Sequence, residues 1–144
     1  MKTAIIYYSA HHGNTRKLAE AIAQGRDVTL IDALAAKSAD LSGYDLIGFA
    51  SGIYFGKFHQ SVVEFAKNNL PDGKKVFFLS TYGGSNGTRA IEETVKAKGA
   101  RIVGSFGCKG YDTFGPFKLV GGIAKGHPGE DDLKNACDFF DGLQ

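Results

Sequence analysis

Thr3-Ala4-Ile5-Ile6-Tyr7-Tyr8-Ser9-Ala10-His11-His12-Gly13-Asn14-Thr15 is the stretch on which the fold turns. Its first half is a continuous apolar and aromatic run, which suits a strand buried on both faces of a parallel sheet. Its second half is small and polar. It runs directly into Asn14 to Gln24, where Leu18, Ala21 and Ile22 recur at helical spacing. A strand, a tight polar turn and a helix, in that order, form the opening of an α/β unit.

The same alternation continues along the chain. Apolar runs recur at Val28 to Ile31, Asp45 to Ala50, Lys75 to Ser80 and Arg101 to Phe106. Between and after them lie helical patterns at Phe58 to Asn69, Thr88 to Lys98 and Glu130 to Leu143. A short helix is expected around Leu34 to Lys37 in the segment from Asp32 to Tyr44. Five strands alternating with helices predict a doubly wound α/β fold with a parallel sheet and helices on both faces. No repeat or linker divides the chain, so residues 1–144 are expected to form one domain. A chain of 144 residues buries enough surface to fold without disulfides or metal.

Composition narrows the function. Lys and Arg number 17 against 15 Asp and Glu, a net charge of +2, and no basic run is present. That balance argues against a nucleic-acid partner. No apolar stretch reaches the ~20 residues of a membrane span, and the first apolar run is too short for a secretion signal. The expected location is therefore cytoplasmic. Cys108 and Cys137 have no CxxC spacing and are expected to be reduced, structural thiols. No metal-ligand spacing is seen, and no catalytic side chain is assigned.

In doubly wound folds, ligands bind at the carboxyl ends of the strands. Four loops meet there. Ser9 to Thr15 can turn backbone N–H groups toward a phosphate, with hydroxyls from Ser9 and Thr15. Neither GxGxxG nor GxxxxGK[ST] is present, which suits a bound monophosphate better than a dinucleotide or a triphosphate. The plain alternative is a helix cap by Asn14. The next loop, Ser51-Gly52-Ile53-Tyr54-Phe55-Gly56-Lys57-Phe58-His59, sets Tyr54 and Phe55 between glycines, where an aromatic can stack on a planar ring. A lid packed on the following helix is the alternative, and Phe58, spaced with Val62, is expected in the core.

Ser80-Thr81-Tyr82-Gly83-Gly84-Ser85-Asn86-Gly87-Thr88 supplies a second aromatic, and Asn86 or nearby N–H groups suit the polar edge of a ring. The alternative is a Gly-rich turn with Thr88 capping the next helix. The last loop, Gly107 to Pro128, starts with Cys108. Its length points to a functional segment or a packed Ω-loop.

Taken in order, these loops resemble those of the flavodoxin family over essentially the whole chain. Ser9 to Thr15 is similar to the family's phosphate loop and departs from it by carrying His11 and His12. The resemblance implies strand order 2-1-3-4-5 and a tightly bound FMN. It implies phosphate contacts from Ser9, His11, Gly13, Asn14 and Thr15, with His12 beside them. Ser51 and Ser80 would reach the ribityl chain, with Thr81 in the same set, and Tyr54, Phe55, Gly56, Tyr82, Gly83 and Gly84 would line the isoalloxazine. The Gly56-Lys57 peptide would be the one that turns its carbonyl to the flavin N5–H on one-electron reduction.

The resemblance also implies electron transfer between redox partner proteins, a reductase and an acceptor. Gly52 to His59 is similar, too, to a segment of menaquinone-dependent protoporphyrinogen oxidases. An FMN-dependent oxidoreductase acting on a quinone, a porphyrinogen or another flat substrate therefore stays open, as does a flavin-free binding module. Flavodoxins are typically acidic, whereas this chain carries His11, His12, Lys57, His59, Lys109 and Lys118 at the expected ligand edge. Those cations favour an acidic partner and a higher potential for the second electron.

Overall fold

The computed structural model describes residues 1–8, 13–82, 87–109 and 128–143. β1 (Thr3–Tyr8) lies between β2 (Val28–Asp32) and β3 (Leu46–Tyr54), parallel to both, with Ile5 opposite Leu30 on one side and Gly48 on the other. β3 continues the sheet to β5 (Lys75–Tyr82), and β5 to β6 (Arg101–Lys109), so the order is β2-β1-β3-β5-β6, all parallel. Between β3 and β5 lies a two-residue strand, β4 (Lys57–Phe58), antiparallel to the end of β3. Leaving out this short strand, the order is that of the expected 2-1-3-4-5 sheet.

Alternate residues of the buried strands feed two cores. Ala4, Ile6, Phe49 and Phe78 face α2 (Ala33–Ala36), α3 (Gln60–Asn69) and α4 (Arg89–Lys96), whose Val62, Phe65, Ile91 and Val95 complete that layer. Ile5, Ala50, Phe77 and Leu79 face α1 (Asn14–Ala23) and α5 (Glu130–Gly142), which contribute Leu18, Ile22, Ala136 and Phe140. Gly48 has no side chain because the ring of Phe77 fills the space a Cβ would take.

Four strands run past the ends of their apolar runs, β2 by one residue, β3 by four, β5 by two and β6 by three. Apart from Ile53 the added residues are small, polar or aromatic, and they join the sheet because a neighbour's backbone pairs with them. Ile53 and Tyr54 pair with Phe58 and Lys57, and Thr81 and Tyr82 pair with Cys108 and Lys109. Cys108 thus lies in β6 instead of starting a loop. It is buried, and burial, with the charge of Asp132 as a smaller cause, pushes its thiol up to about 12. Phe58 is buried as expected, but on β4 and edge-on to Phe78, since α3 begins only at Gln60. Residues 110–127, most of the long loop, lie outside the described residues.

Candidate functional site

The carboxyl ends of β1, β3 and β5 form one edge, and the described candidate residues lie along it. Gly13 stands at the N-cap of α1 with φ of 65°, a left-handed conformation that glycine adopts at little cost. The next two residues turn inward. Asn14 and Thr15 are both buried, and the Thr15 hydroxyl meets that of Thr81 near the end of β5 at 2.9 Å.

The start of α1 differs from those of the other helices. Asp32 caps α2 by accepting from the N–H groups of Leu34 and Ala35, and His59 caps α3 through Ser61. α4 has Glu92 in its first turn, and α5 has Glu130, Asp131 and Asp132. Among the described residues, α1 has neither a capping side chain nor an acid in its first turn. The positive end of its dipole is therefore met by no capping side chain or first-turn acid among the described residues, a setting that suits an anion.

The loop after β3 is a tight hairpin. Tyr54 pairs with Lys57, and the two residues between them, Phe55 and Gly56, have φ of 52° and 77°. Positive φ at both central positions is the type I′ arrangement that matches the twist of paired strands. Glycine suits it, whereas phenylalanine is strained there. Phe55 is also 85% exposed, so it is no lid on α3. Gly87, at the foot of α4, approaches so closely that a Cβ on it would collide with the Gly56 carbonyl oxygen.

Ser51 supports this hairpin from inside. Its buried hydroxyl donates to the Gly52 carbonyl at 2.6 Å and accepts from the His59 N–H at 2.9 Å. Its single proton is therefore engaged within the protein. Tyr54 curls back over Gly52, and its ring stands edge-on to Tyr8 and His59 at 5.9 and 5.5 Å. Tyr8 and His59 stack at 3.6 Å, only 9° from parallel.

His59 corrects the expected charge of the edge. Its burial in this aromatic cluster lowers its pKa from the ordinary 6.5, so at neutral pH it adds no cation. Lys57 and Lys109 remain exposed cations at the strand ends. Ser80 is fully buried, and Tyr82 is half-buried opposite Lys109. Ser9, His11, His12, Gly83, Gly84 and Asn86 lie outside the described residues. No local pattern marks Tyr8, which ends an apolar run, or Gly87, which sits among other glycines. No group of His, Cys, Asp and Glu among the described residues has the makings of a metal site, and none of their helices is long and apolar enough to cross a membrane.

The same architecture occurs in proteins of known structure. Oxidised flavodoxin 1 from Bacillus cereus superposes with a TM-score of 0.73 at 16% identity, over 99% of this chain and 97% of that one. A Fusobacterium nucleatum flavodoxin mutant bound to flavin mononucleotide gives 0.68 at 16% identity, over 99% and 95%. Rubredoxin oxygen:oxidoreductase from Desulfovibrio gigas gives 0.72 at 16% identity, with 99% of this chain matched to 35% of that larger one. An uncharacterized protein of Methanocaldococcus jannaschii is 43% identical over 143 residues, covering 96% of this chain and 95% of its own. The model of the flavodoxin domain matches residues 5–110, and the chain belongs to the flavodoxin family.

Proposed function

We propose that this protein binds FMN at the carboxyl edge of its sheet and passes electrons between redox partner proteins. The observation that carries this reading is the start of α1. A helix N-terminus with no capping side chain and no acid among the described residues, opened by a left-handed glycine, suits a terminal phosphate. Membership of the flavodoxin family supports FMN as the molecule that bears it.

In this reading Ser9, His11, His12, Gly13, Asn14 and Thr15 hold the phosphate. Ser80 and Thr81 lie toward the sugar chain, while Ser51 supports the hairpin, its proton already donated to Gly52. Tyr54, Phe55, Gly56, Tyr82, Gly83 and Gly84 line the ring, with Asn86 at its polar edge. Bound FMN supplies the capacity to take up and release one or two electrons. The protein's own part is to bind, orient and shield. Gly56 and Gly87 leave backbone where side chains would stand, and the exposed Lys57 and Lys109 favour an acidic partner.

An absorption spectrum of the purified protein, followed through stepwise reduction, tests the reading. A flavin spectrum with an accumulating one-electron state supports it. A colourless protein that takes up no added FMN defeats it. Rapid turnover of NAD(P)H with quinones and no added reductase points to an enzyme instead of a carrier.

A further inference from the structure

His59 joins three elements at one point. Its backbone N–H donates to the Ser51 hydroxyl at 2.9 Å, which ties it to β3 beneath the hairpin. Its Nδ1 accepts from the Ser61 N–H at 3.1 Å and lies 2.8 Å from the Ser61 hydroxyl, which caps α3. Its ring stacks on Tyr8 of β1 and meets the edge of Tyr54, the last residue of β3 before the turn. An Nδ1 that accepts from an N–H must be bare, so the neutral ring carries its proton on Nε2.

We propose that His59 is a positioning residue, which holds the hairpin at residues 51–58 against α3 and β1 and does so only as the neutral imidazole. Protonation places a hydrogen on Nδ1. That hydrogen removes the acceptor for the Ser61 N–H and puts a cation at the positive end of the α3 dipole. Both effects release the cap and loosen the hairpin that precedes it. Among the described residues, the titratable groups facing the ring are Tyr8 and Tyr54. Lys57 lies two residues earlier on β4, and Glu64 one turn along α3, where it accepts from Gln60. From α4, which packs on β4 and α3, Glu92 accepts from Thr88 and Glu93 pairs with Arg89. Burial in the cluster acts in the same sense by disfavouring the charged ring.

The role in FMN binding rests on the function proposed above, so the experiment has two readouts. The full-length wild type, His59→Asn and His59→Ala are compared from pH 7.5 to 5. Asparagine caps a helix well and does not titrate. The first readout is amide protection at Ser61, Val62 and Val63, alongside the His59 ring signal in NMR. In the wild type it should fall as the ring protonates, in His59→Asn it should stay level, and in His59→Ala it should be low throughout. Equal loss in the wild type and His59→Asn overturns the proposal.

The second readout is FMN affinity, taken relative to His59→Asn because phosphate itself titrates near pH 6. The wild type should lose about three- to tenfold more affinity than His59→Asn on acidification. Affinity that ignores His59 while amide protection follows it removes the positioning role. Failure of every variant to bind FMN at any pH defeats the proposed function instead, and the clamp is then judged on amide protection alone.

Discussion

The hydroxyl oxygens of Thr15 and Thr81, 66 positions apart in the chain, lie 2.9 Å from each other in the interior. One belongs to the first turn of α1 and the other to the end of β5, so this bond holds the helix start against the sheet edge. Replacing either threonine with valine leaves the other hydroxyl buried without that partner. Each single change should cost about 1–3 kcal/mol, and Thr15→Val with Thr81→Val together less than the sum. Urea denaturation of the four proteins measures the coupling, and strict additivity would show that the bond contributes nothing.

Phe55 should be a place where stability can be gained. It is a bulky residue with φ of 52°, and it is exposed, so little packing offsets its strain. Phe55→Asn or Phe55→Gly should raise unfolding free energy by about 1 kcal/mol, since both residues accept the left-handed region. If the ring lines the flavin as proposed, the same variants should bind FMN more weakly. A matched pair of denaturation and FMN titrations tests both halves.

Two glycines should resist even alanine. At Gly48 a methyl group enters the Phe77 ring, and Gly48→Ala should destabilise by about 1–3 kcal/mol, partly recovered by Phe77→Leu. At Gly87 the obstacle is the Gly56 carbonyl, which belongs to backbone and cannot rotate away like a side chain. Gly87→Ala should displace the hairpin, visible as shifted amide signals at Phe55 to Lys57 with the two cores unaltered.

The cysteines should differ in reactivity. Burial pushes the Cys108 thiol up to about 12, so at pH 8 it stays protonated and unreactive. Cys137 is half-buried on α5, where its Sγ donates weakly to the Ala21 carbonyl. A disulfide reagent at pH 8 should modify Cys137 in the folded protein and Cys108 only on unfolding. Fast labelling of Cys108 in a Cys137→Ser variant would contradict the buried placement.

Acid should weaken the tie between α5 and the turn after α1. Arg26 meets Asp141 through two bonds of 2.8 Å, which lower the carboxyl pKa. The stabilisation is fully present above the unfolded carboxylate range and disappears as pH falls through the lower, folded value. Arg26→Ala should therefore flatten the acid side of the stability profile. An unchanged profile would show the pair to be screened by solvent.

The sequence by itself determined the sheet, its two faces and which residues lie at its carboxyl edge. Runs such as Ala4 to Tyr8 have no polar face to expose, and helical spacing such as Leu18 with Ile22 leaves one side to bury. Both are local patterns, and both were legible. Only the tertiary structure decided how far β3, β5 and β6 extend, because pairing such as Tyr54 with Lys57 depends on what backbone lies alongside, not on apolarity. It likewise decided the surroundings of His59, which no local pattern announces. The stack on Tyr8, the cap on α3 and the bond to the Ser51 hydroxyl join separate parts of the chain, and the burial that results lowers the pKa of the ring.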